Sequence, residues 1–172
     1  MADTSQVPFS AISPSGDSLE TRDINDNDCV SRHIYHPRMG SPNKFIWHEI
    51  FEFPSEDGKT ESVVWRVLCL DDESVHEVGK RREARKLREG NNILYIGFVT
   101  SAVGPIRRRT TRRGHGFIVY HCPSIEEGAW HSVIKIVIAN GIDKLSKNDN
   151  SDVRAIMQEL FEANYTVFKM AS

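Results

Sequence analysis

Two blocks of basic residues, at 80–88 and 107–113, hold the side chains in this sequence best suited to bind a charged partner. Residues 80–113 carry 11 Lys and Arg against 2 acids (11 − 2 = +9), although the whole chain has a formal net charge of −2. A local excess of this size usually indicates an anionic partner, such as a phosphate backbone or lipid headgroups. The candidate binding residues are Lys80, Arg81, Arg82, Arg85, Lys86, Arg88, Arg107, Arg108, Arg109, Arg112 and Arg113.

The remainder of the chain carries the opposite charge. Residues 1–79 hold 6 basic and 15 acidic side chains (6 − 15 = −9), and residues 114–172 hold 5 and 7 (5 − 7 = −2). Such a molecule could assemble head to tail, with the acidic part of one copy against the basic part of the next. The alternative is that the basic blocks are an ordinary solvated surface, and a helix dipole alone favours basic residues near a helix C-terminus.

Catalytic and metal-binding chemistry has little support in the sequence. There is no Gly-rich phosphate loop, no nucleophile elbow and no His-Glu-x-x-His zinc helix. His121 and Cys122 are adjacent, so on a strand they would point to opposite faces rather than act together. Cys29, His33 and His36 have a spacing that could present three zinc ligands, but no fourth ligand type lies nearby. The sequence therefore predicts neither an enzyme nor a resident metal or cofactor.

The first basic block is predicted to lie on a helix. Ser74 and Glu77 have the spacing of a capping box, and Gly90 is a typical left-handed stop, so residues 75–89 should be helical. The few apolar residues of this segment do not form a wide stripe. We expect the helix to rest lightly on the domain and to display its charge. Residues 107–113 show no hydrophobic periodicity, which predicts an exposed loop.

The remaining elements predict an α+β fold with a mainly antiparallel sheet, because strand pairs joined by short turns are interrupted by two separated helices. The C-terminal helix has apolar residues at i, i+3, i+4, i+7 and i+8, which is typical of a core-facing helix. These residues are Val153, Ile156, Met157, Leu160 and Phe161. Strands are predicted at 44–53, 60–70, 117–120, 130–140 and 165–170, and residues 92–100 should form a buried strand or a short buried helix.

Residues 1–43 are predicted to be a flexible acidic N-terminal arm, and residues 44–172 a single α+β domain. The arm lacks apolar residues at a helical or strand period, so burial would offset little of the ordering entropy. Three scattered cysteines and the absence of a signal peptide indicate free thiols in a reducing compartment. No apolar run approaches the roughly 20 residues of a membrane span, so any membrane contact should be peripheral.

The order of these elements resembles that of rhabdovirus matrix proteins. The resemblance covers an N-terminal arm, an aromatic segment at Lys44-Phe45-Ile46-Trp47, a helix, an apolar segment at 93–99, and a strand carrying His121 and Cys122. It continues through a long apolar strand at 133–138 and an amphipathic helix at 153–161. Two features depart from the animal-virus members, because the arm is acidic rather than Lys-rich and a proline-tyrosine budding motif is missing. Both departures fit a plant-infecting member better.

The resemblance implies a structural function rather than catalysis. A matrix protein of this kind would form homo-oligomers, condense the helical nucleocapsid of nucleoprotein and RNA, and link it to the anionic inner face of the viral envelope, where it would meet the envelope glycoprotein. It would be found in the virion beneath the envelope and in the host cytoplasm. The competing hypothesis is an RNA-binding viral regulator, such as a silencing suppressor, that uses residues 80–113 on RNA phosphates.

Overall fold

The computed structural model describes residues 24–52, 64–122, 131–163 and 165–167, with the side chains of Val64, Arg66 and Tyr165–Val167 excluded. Four helices and eight strands occupy these residues. The helices are α1 (Trp47–Ile50), α2 (Asp72–Arg88), α3 (Val103–Arg108) and α4 (Lys147–Glu162). The strands are β1 (Cys29–His36), β2 (Gly40–Ser41), β3 (Lys44–Phe45), β4 (Val64–Leu68), β5 (Leu94–Ala102), β6 (Gly116–His121), β7 (His131–Val137) and β8 (Tyr165–Val167).

Six of the strands form one sheet in the order β6-β7-β4-β1-β5-β8, and β2 pairs with β3 in a separate two-stranded sheet. All of the described pairings are antiparallel. Strand β1 pairs with β5 along its whole length but meets β4 at one residue pair, Ser31 with Leu68. The prediction of an α+β fold with a mainly antiparallel sheet is therefore confirmed.

The predicted N-terminal arm extends too far along the chain. Strand β1 lies inside the sheet, between β4 and β5, so the boundary at residue 43 is wrong from residue 24 onward. Three polar residues concealed this strand in the sequence, and each has a partner inside the fold. Ser31 hydrogen-bonds Thr100 at 2.8 Å, His33 contacts the carbonyl of Val75 at 2.7 Å, and Arg32 donates to the carbonyl of Ile50. Residues 1–23 lie outside the described residues.

Burial of Arg32 shows how the sheet accepts a charged side chain. Desolvation lowers the pKa of its guanidinium to about 10, which still leaves the group protonated at neutral pH. The guanidinium lies 5.7 Å from the centre of the Phe51 ring, where the negative face of the ring stabilises a cation. Arg32 therefore ties β1 to the short helix α1, whose last carbonyl accepts its hydrogen bond.

The aromatic segment at 44–53 does not form the predicted strand. Only β3 is extended there, and the chain then turns into α1, so Trp47 and Phe51 stack one helical turn apart. Accordingly, β4 pairs with β7 and β1 rather than with this segment. The predicted turn at 55–58 lies outside the described residues. The alternating aromatic residues predicted a strand, but over so few positions the same pattern also fits one short helical turn.

The sheet is covered by helices on both faces, because neighbouring residues of a strand point to opposite sides. Ile34 belongs to a large core cluster that α1, α3 and α4 also supply, whereas Tyr35 belongs to a smaller cluster beneath α2. Helix α4 presents most of its predicted apolar stripe to the large cluster, with Met157 and Phe161 fully buried and Leu160 only partly buried. Its N-cap is Ser146.

Helix α2 begins earlier than predicted. Asp71 is the N-cap and accepts the backbone N–H of Ser74 at 2.9 Å, so the helix runs from Asp72 and the predicted Ser74–Glu77 capping box is wrong. The predicted stop at Gly90 is confirmed, since its φ is +83°. The amides of Gly90 and Asn91 donate to the carbonyls of Leu87 and Lys86, as in a Schellman motif.

The helix is also held more firmly than its weak apolar stripe indicates. Val75 is fully buried, and Glu83 accepts the backbone N–H of Tyr95 at the edge of the second cluster. Gly79 permits this close approach, because a Cβ placed there would lie 2.5 Å from the Tyr95 ring. The basic block of α2 is therefore carried on a rigid support.

We predict that Gly79→Ala destabilises the protein although alanine is the better helix former. Propensity alone would stabilise by about 1 kcal/mol, whereas forcing a methyl group against a buried ring costs typically 1–3 kcal/mol. Urea unfolding should show a net loss of roughly 1 kcal/mol. Gly116→Ala is the matched control, because a Cβ there meets nothing within 4 Å. A more stable Gly79→Ala protein would contradict the close packing of α2 on Tyr95.

Candidate anion-binding surface

The 80–88 block forms an exposed basic stripe along the C-terminal half of α2. Its outward-facing positions repeat at i, i+1, i+4, i+7 and i+8, and they are Lys80, Arg81, Ala84, Leu87 and Arg88. Leu87 is 44 % exposed, so an apolar side chain lies within the basic stripe. The N-terminal half of the helix instead exposes the acids Asp72, Glu73 and Glu77. Because this distribution follows the helix dipole, part of the charge has a structural reason.

Ion pairs within α2 leave most of this charge available. Lys86 donates to Glu89 at 2.8 Å, whereas the Lys80–Glu83 and Arg85–Glu89 pairs are longer, at 3.6 and 4.0 Å. The hydrogen bond from Lys86, helped by the charges of Arg85 and Arg88, lowers the pKa of Glu89. Exposed pairs of this kind contribute about 0–1 kcal/mol and open readily. Arg81 and Arg88 make no ion pair or hydrogen bond with the residues that the structure describes.

Two basic residues of the 80–88 block also contact aromatic rings of the sheet. The Lys80 ammonium lies 5.8 Å from the centre of the Tyr95 ring, and the Arg82 guanidinium lies 5.9 Å from that of Tyr35. Contacts of this type stabilise by about 0.5–1 kcal/mol when partly exposed. The stripe presented to a partner is therefore centred on Arg81 and Arg88, which are exposed, whereas Arg85 is partly buried.

The second basic block is different, because Arg107 is part of the internal structure. Residues 103–108 form α3 rather than the start of a loop, so the prediction of an exposed loop at 107–113 is wrong for its first part. The Arg107 guanidinium donates at 2.9 Å to Asp26 and to the backbone carbonyls of Ile24 and Val119, and its side chain is only 25 % exposed. Arg107 therefore joins the turn at residues 25–28 to β6.

The other arginines of the second block are paired with acids distant in sequence. Arg113 donates to Asp149 at 2.7 Å, and Arg109 donates to Glu159 on the same helix, α4. Arg108 lies 3.5 Å from Asp26, and Arg112 lies 4.0 Å from Asp152 while its backbone N–H donates to that carboxylate at 2.8 Å. The side chains of Arg108 and Arg112 remain largely exposed, so an external partner could still reach these two residues.

The balance of local charge separates the two blocks. Five arginines in the second block face four carboxylates, Asp26, Asp149, Asp152 and Glu159, which leaves about one unbalanced charge (5 − 4 = +1). Residues 80–89 carry six basic and two acidic side chains (6 − 2 = +4). All eleven predicted residues thus occupy two surfaces with different roles. The candidate site narrows to the exposed stripe of α2.

A buried ionic network that the sequence analysis missed lies beneath the second block. Asp149 is 3 % exposed and accepts hydrogen bonds from the Ser146 amide and hydroxyl at 2.8 and 2.7 Å, which completes the capping box of α4. Its other oxygen lies 3.3 Å from Nε2 of His115, a fully buried histidine whose Nδ1 accepts the Ala139 amide. The Ser-x-x-Asp spacing at 146–149 was the one sequence signal for this site.

The pKa of the Asp149 carboxyl records how these partners compete with burial. Burial alone would raise the pKa, but the hydrogen bonds from Ser146 and the charge of Arg113 outweigh it and hold the pKa below its usual range. The carboxylate is therefore ionised at neutral pH. It links the 111–115 loop to α4 through one buried charge.

The possible zinc ligands do not converge. Along β1, the side chain of His33 contacts the carbonyl of Val75, and Nδ1 of His36 contacts the carbonyl of Gly40 at 2.9 Å, while Cys29 is exposed at the start of the strand. Within the described ranges no group of three His, Cys, Asp or Glu side chains is placed to hold a metal ion. His121 and Cys122 follow one another at the end of β6, and Nδ1 of His121 contacts the Ser132 hydroxyl.

Comparison with known proteins adds no relative: no family model, curated protein or solved structure matches this chain. In the part of the chain that the structure describes, the helices are too short or too polar to cross a bilayer. The resemblance to rhabdovirus matrix proteins therefore rests on the order of sequence elements alone.

We predict that Asp149→Ala lowers the free energy of unfolding by about 2 kcal/mol at pH 7, because it removes a helix cap and unpairs buried donors. The folded-state pKa of Asp149 is lowered, so its contribution is present above the unfolded value, near pH 4, and is lost as pH falls through the folded value. Urea unfolding should show the gap to wild type narrowing below about pH 4.

Asp152→Ala is the matched control for this prediction. It removes a carboxylate from the same helix whose one described hydrogen bond comes from the Arg112 amide, at an exposed site. We expect this change to cost less than about 1 kcal/mol. Equal losses in the two variants, or a gap for Asp149→Ala that is the same at pH 3 and pH 7, would contradict the role assigned to the buried carboxylate.

Proposed function

We propose that this protein is a peripheral, self-assembling structural protein that attaches to an anionic membrane through the exposed basic stripe of α2. In this proposal it serves as a matrix-type protein that condenses a helical nucleocapsid and links it to the inner face of a viral envelope. The observation that carries the proposal is the contrast between the two basic blocks. The second block is nearly balanced by carboxylates from other parts of the fold, whereas residues 80–89 retain a local charge of +4 (6 − 2) on α2 and its C-cap.

A lipid surface suits the composition of the stripe better than RNA does. Leu87 is exposed on the same helix as Lys80, Arg81 and Arg88, so its apolar side chain would enter the interfacial region while the basic groups meet headgroups. Recognition of single-stranded RNA usually adds aromatic side chains on which bases stack. The exposed positions of α2 include no aromatic residue. Each basic residue near a charged membrane contributes about 1 kcal/mol.

Self-assembly has support from the distribution of charge along α2. The exposed acids of its first turns, Asp72, Glu73 and Glu77, lie at the opposite end from Arg85 and Arg88. Two copies arranged head to tail would place the acidic end of one helix near the basic end of the next. Such contacts are screened by salt, with a Debye length of about 8 Å at physiological ionic strength. Assembly and membrane attachment should therefore both weaken as salt is added.

The test is vesicle co-sedimentation with phosphatidylserine-containing vesicles and with neutral phosphatidylcholine vesicles. The full chain should bind the anionic vesicles, and Arg81→Glu/Arg88→Glu should weaken that binding by about 30-fold, since at least two contributions of about 1 kcal/mol are lost. Neither residue makes an ion pair or hydrogen bond in the described chain, so the double variant should stay folded and lose no more than about 1 kcal/mol of stability, from the reversed charge in the last turn of α2.

The matched control is Arg108→Glu/Arg112→Glu, which makes the same change in net charge on the two most exposed residues of the second block. It should retain most of the vesicle binding. Equal loss in both double variants would show that net charge alone matters and would contradict the proposal. Binding of single-stranded RNA that is tighter than vesicle binding, and is abolished by the α2 double variant, would favour the RNA-binding regulator instead.

A further inference from the structure

An apolar patch on the outer face of β6 and β7 has no helix over it among the residues that the structure describes. The patch comprises Ile118, Tyr120 and Val137, which are 37, 38 and 44 % exposed. Register places Ile118 beside Lys135, Tyr120 beside Val133 and Val137 beside Gly116, so the three side chains share one face of two paired strands. On the same face of the sheet, helix α2 packs mainly over β5 and β1, and its cluster also includes Leu68 of β4. We call these three residues the β6–β7 patch.

The outer edge of β6, which pairs with no other strand of the described sheet, is blocked by Arg107 and α3. This limits how a segment could cover the patch. Arg107 donates to the carbonyl of Val119, and α3 packs alongside β6. A helix or side chain placed this way blocks the addition of another strand at an edge. A segment that covers the β6–β7 patch must therefore lie across the outer face of the strands, using side-chain contacts.

The described chain begins at the outer edge of β6, with the side chain of Ile24 on the opposite face of the sheet from the patch. Ile24 is buried in the main core, and its carbonyl accepts a hydrogen bond from the same guanidinium nitrogen that binds the carbonyl of Val119. Val119 lies between Ile118 and Tyr120 in the strand. The 23 residues before Ile24 could extend about 75 Å, so the patch is within easy reach of the segment that precedes it.

The chemistry of residues 1–23 matches the patch. They include the apolar side chains Val7, Phe9, Ile12 and Leu19, and four acids against one Arg (1 − 4 = −3). Lys135, paired with Ile118 on β7, supplies a positive charge at the patch. A short tether raises the effective concentration of such a segment to the millimolar range, so a weak apolar contact is enough to hold it.

We propose that residues 1–23 of the same chain pack their apolar side chains on the β6–β7 patch. The contact would shield an apolar surface that otherwise favours association between copies. The proposal does not depend on which anionic partner binds α2.

Hydrogen exchange of the full chain, read by peptide mass spectrometry, tests this proposal. Amides of residues 7–19 should exchange about tenfold more slowly than in an unstructured peptide, because burial of a few apolar side chains supplies that much protection. Ile118→Asp should abolish the protection, and Phe9→Ser should do the same from the other side of the contact. Exchange of α4 should be unchanged in both variants, as evidence that the fold is intact.

Leu94→Asp is the matched control, because Leu94 is 36 % exposed on β5, away from the patch. It should leave the protection of residues 7–19 in place. Three outcomes would overturn the proposal: no protection in the wild-type chain, equal loss in Leu94→Asp and Ile118→Asp, or protection that disappears on about a hundredfold dilution. The last result would show that the segment binds a second copy, since a tethered contact is independent of concentration.

Discussion

The guanidinium of Arg107 is the contact on which the arrangement of this fold depends most. It joins the carbonyl of Ile24, the carboxylate of Asp26 and the carbonyl of Val119, so one side chain fixes the N-terminal turn, α3 and the edge strand β6. Asp26 also accepts the Gly104 amide, which binds the start of α3 to the same turn. A planar group with five donors is suited to bridging several acceptors at once. Because most arginines of the second block are paired within the fold, the unbalanced positive charge of residues 80–113 lies mainly on α2.

The elements that the sequence predicted correctly are those with a strong local pattern. The stripe from Val153 to Phe161 and the apolar run of β7 needed only periodicity and length, whereas the apolar run of β5 had left a buried strand and a short buried helix open. Strand β1 was missed because Ser31, Arg32 and His33 interrupt its apolar pattern, and their partners lie on α1, α2 and β5. The segment at 44–53 was misassigned because one helical turn with aromatic residues also alternates over a few positions. In each case a contact made elsewhere in the chain decided the local structure.

For the candidate site, too, only the features that depend on local sequence could be predicted. Arg81, Arg85 and Arg88 could be placed on one helix face because their spacing is local. The role of the second block could not be predicted, since its acids are 81 residues away at Asp26, 36 at Asp149 and 50 at Glu159. A run of arginines has the same pattern in a sequence whether it faces a partner or the fold's own carboxylates. The resemblance to matrix proteins gave a functional hypothesis without information on this point.

The most direct test of this division is the reactivity of individual arginines toward phenylglyoxal in the folded protein, followed by peptide mass spectrometry. Arg81 and Arg88 should be modified rapidly, because they are exposed and lack an ion pair within the described residues. Arg107 should react slowly in the native state and at the same rate as the others once urea unfolds the chain. If Arg107 reacts as fast as Arg81 under native conditions, its guanidinium is not held inside the fold, and the assignment of the two basic blocks to different roles is wrong.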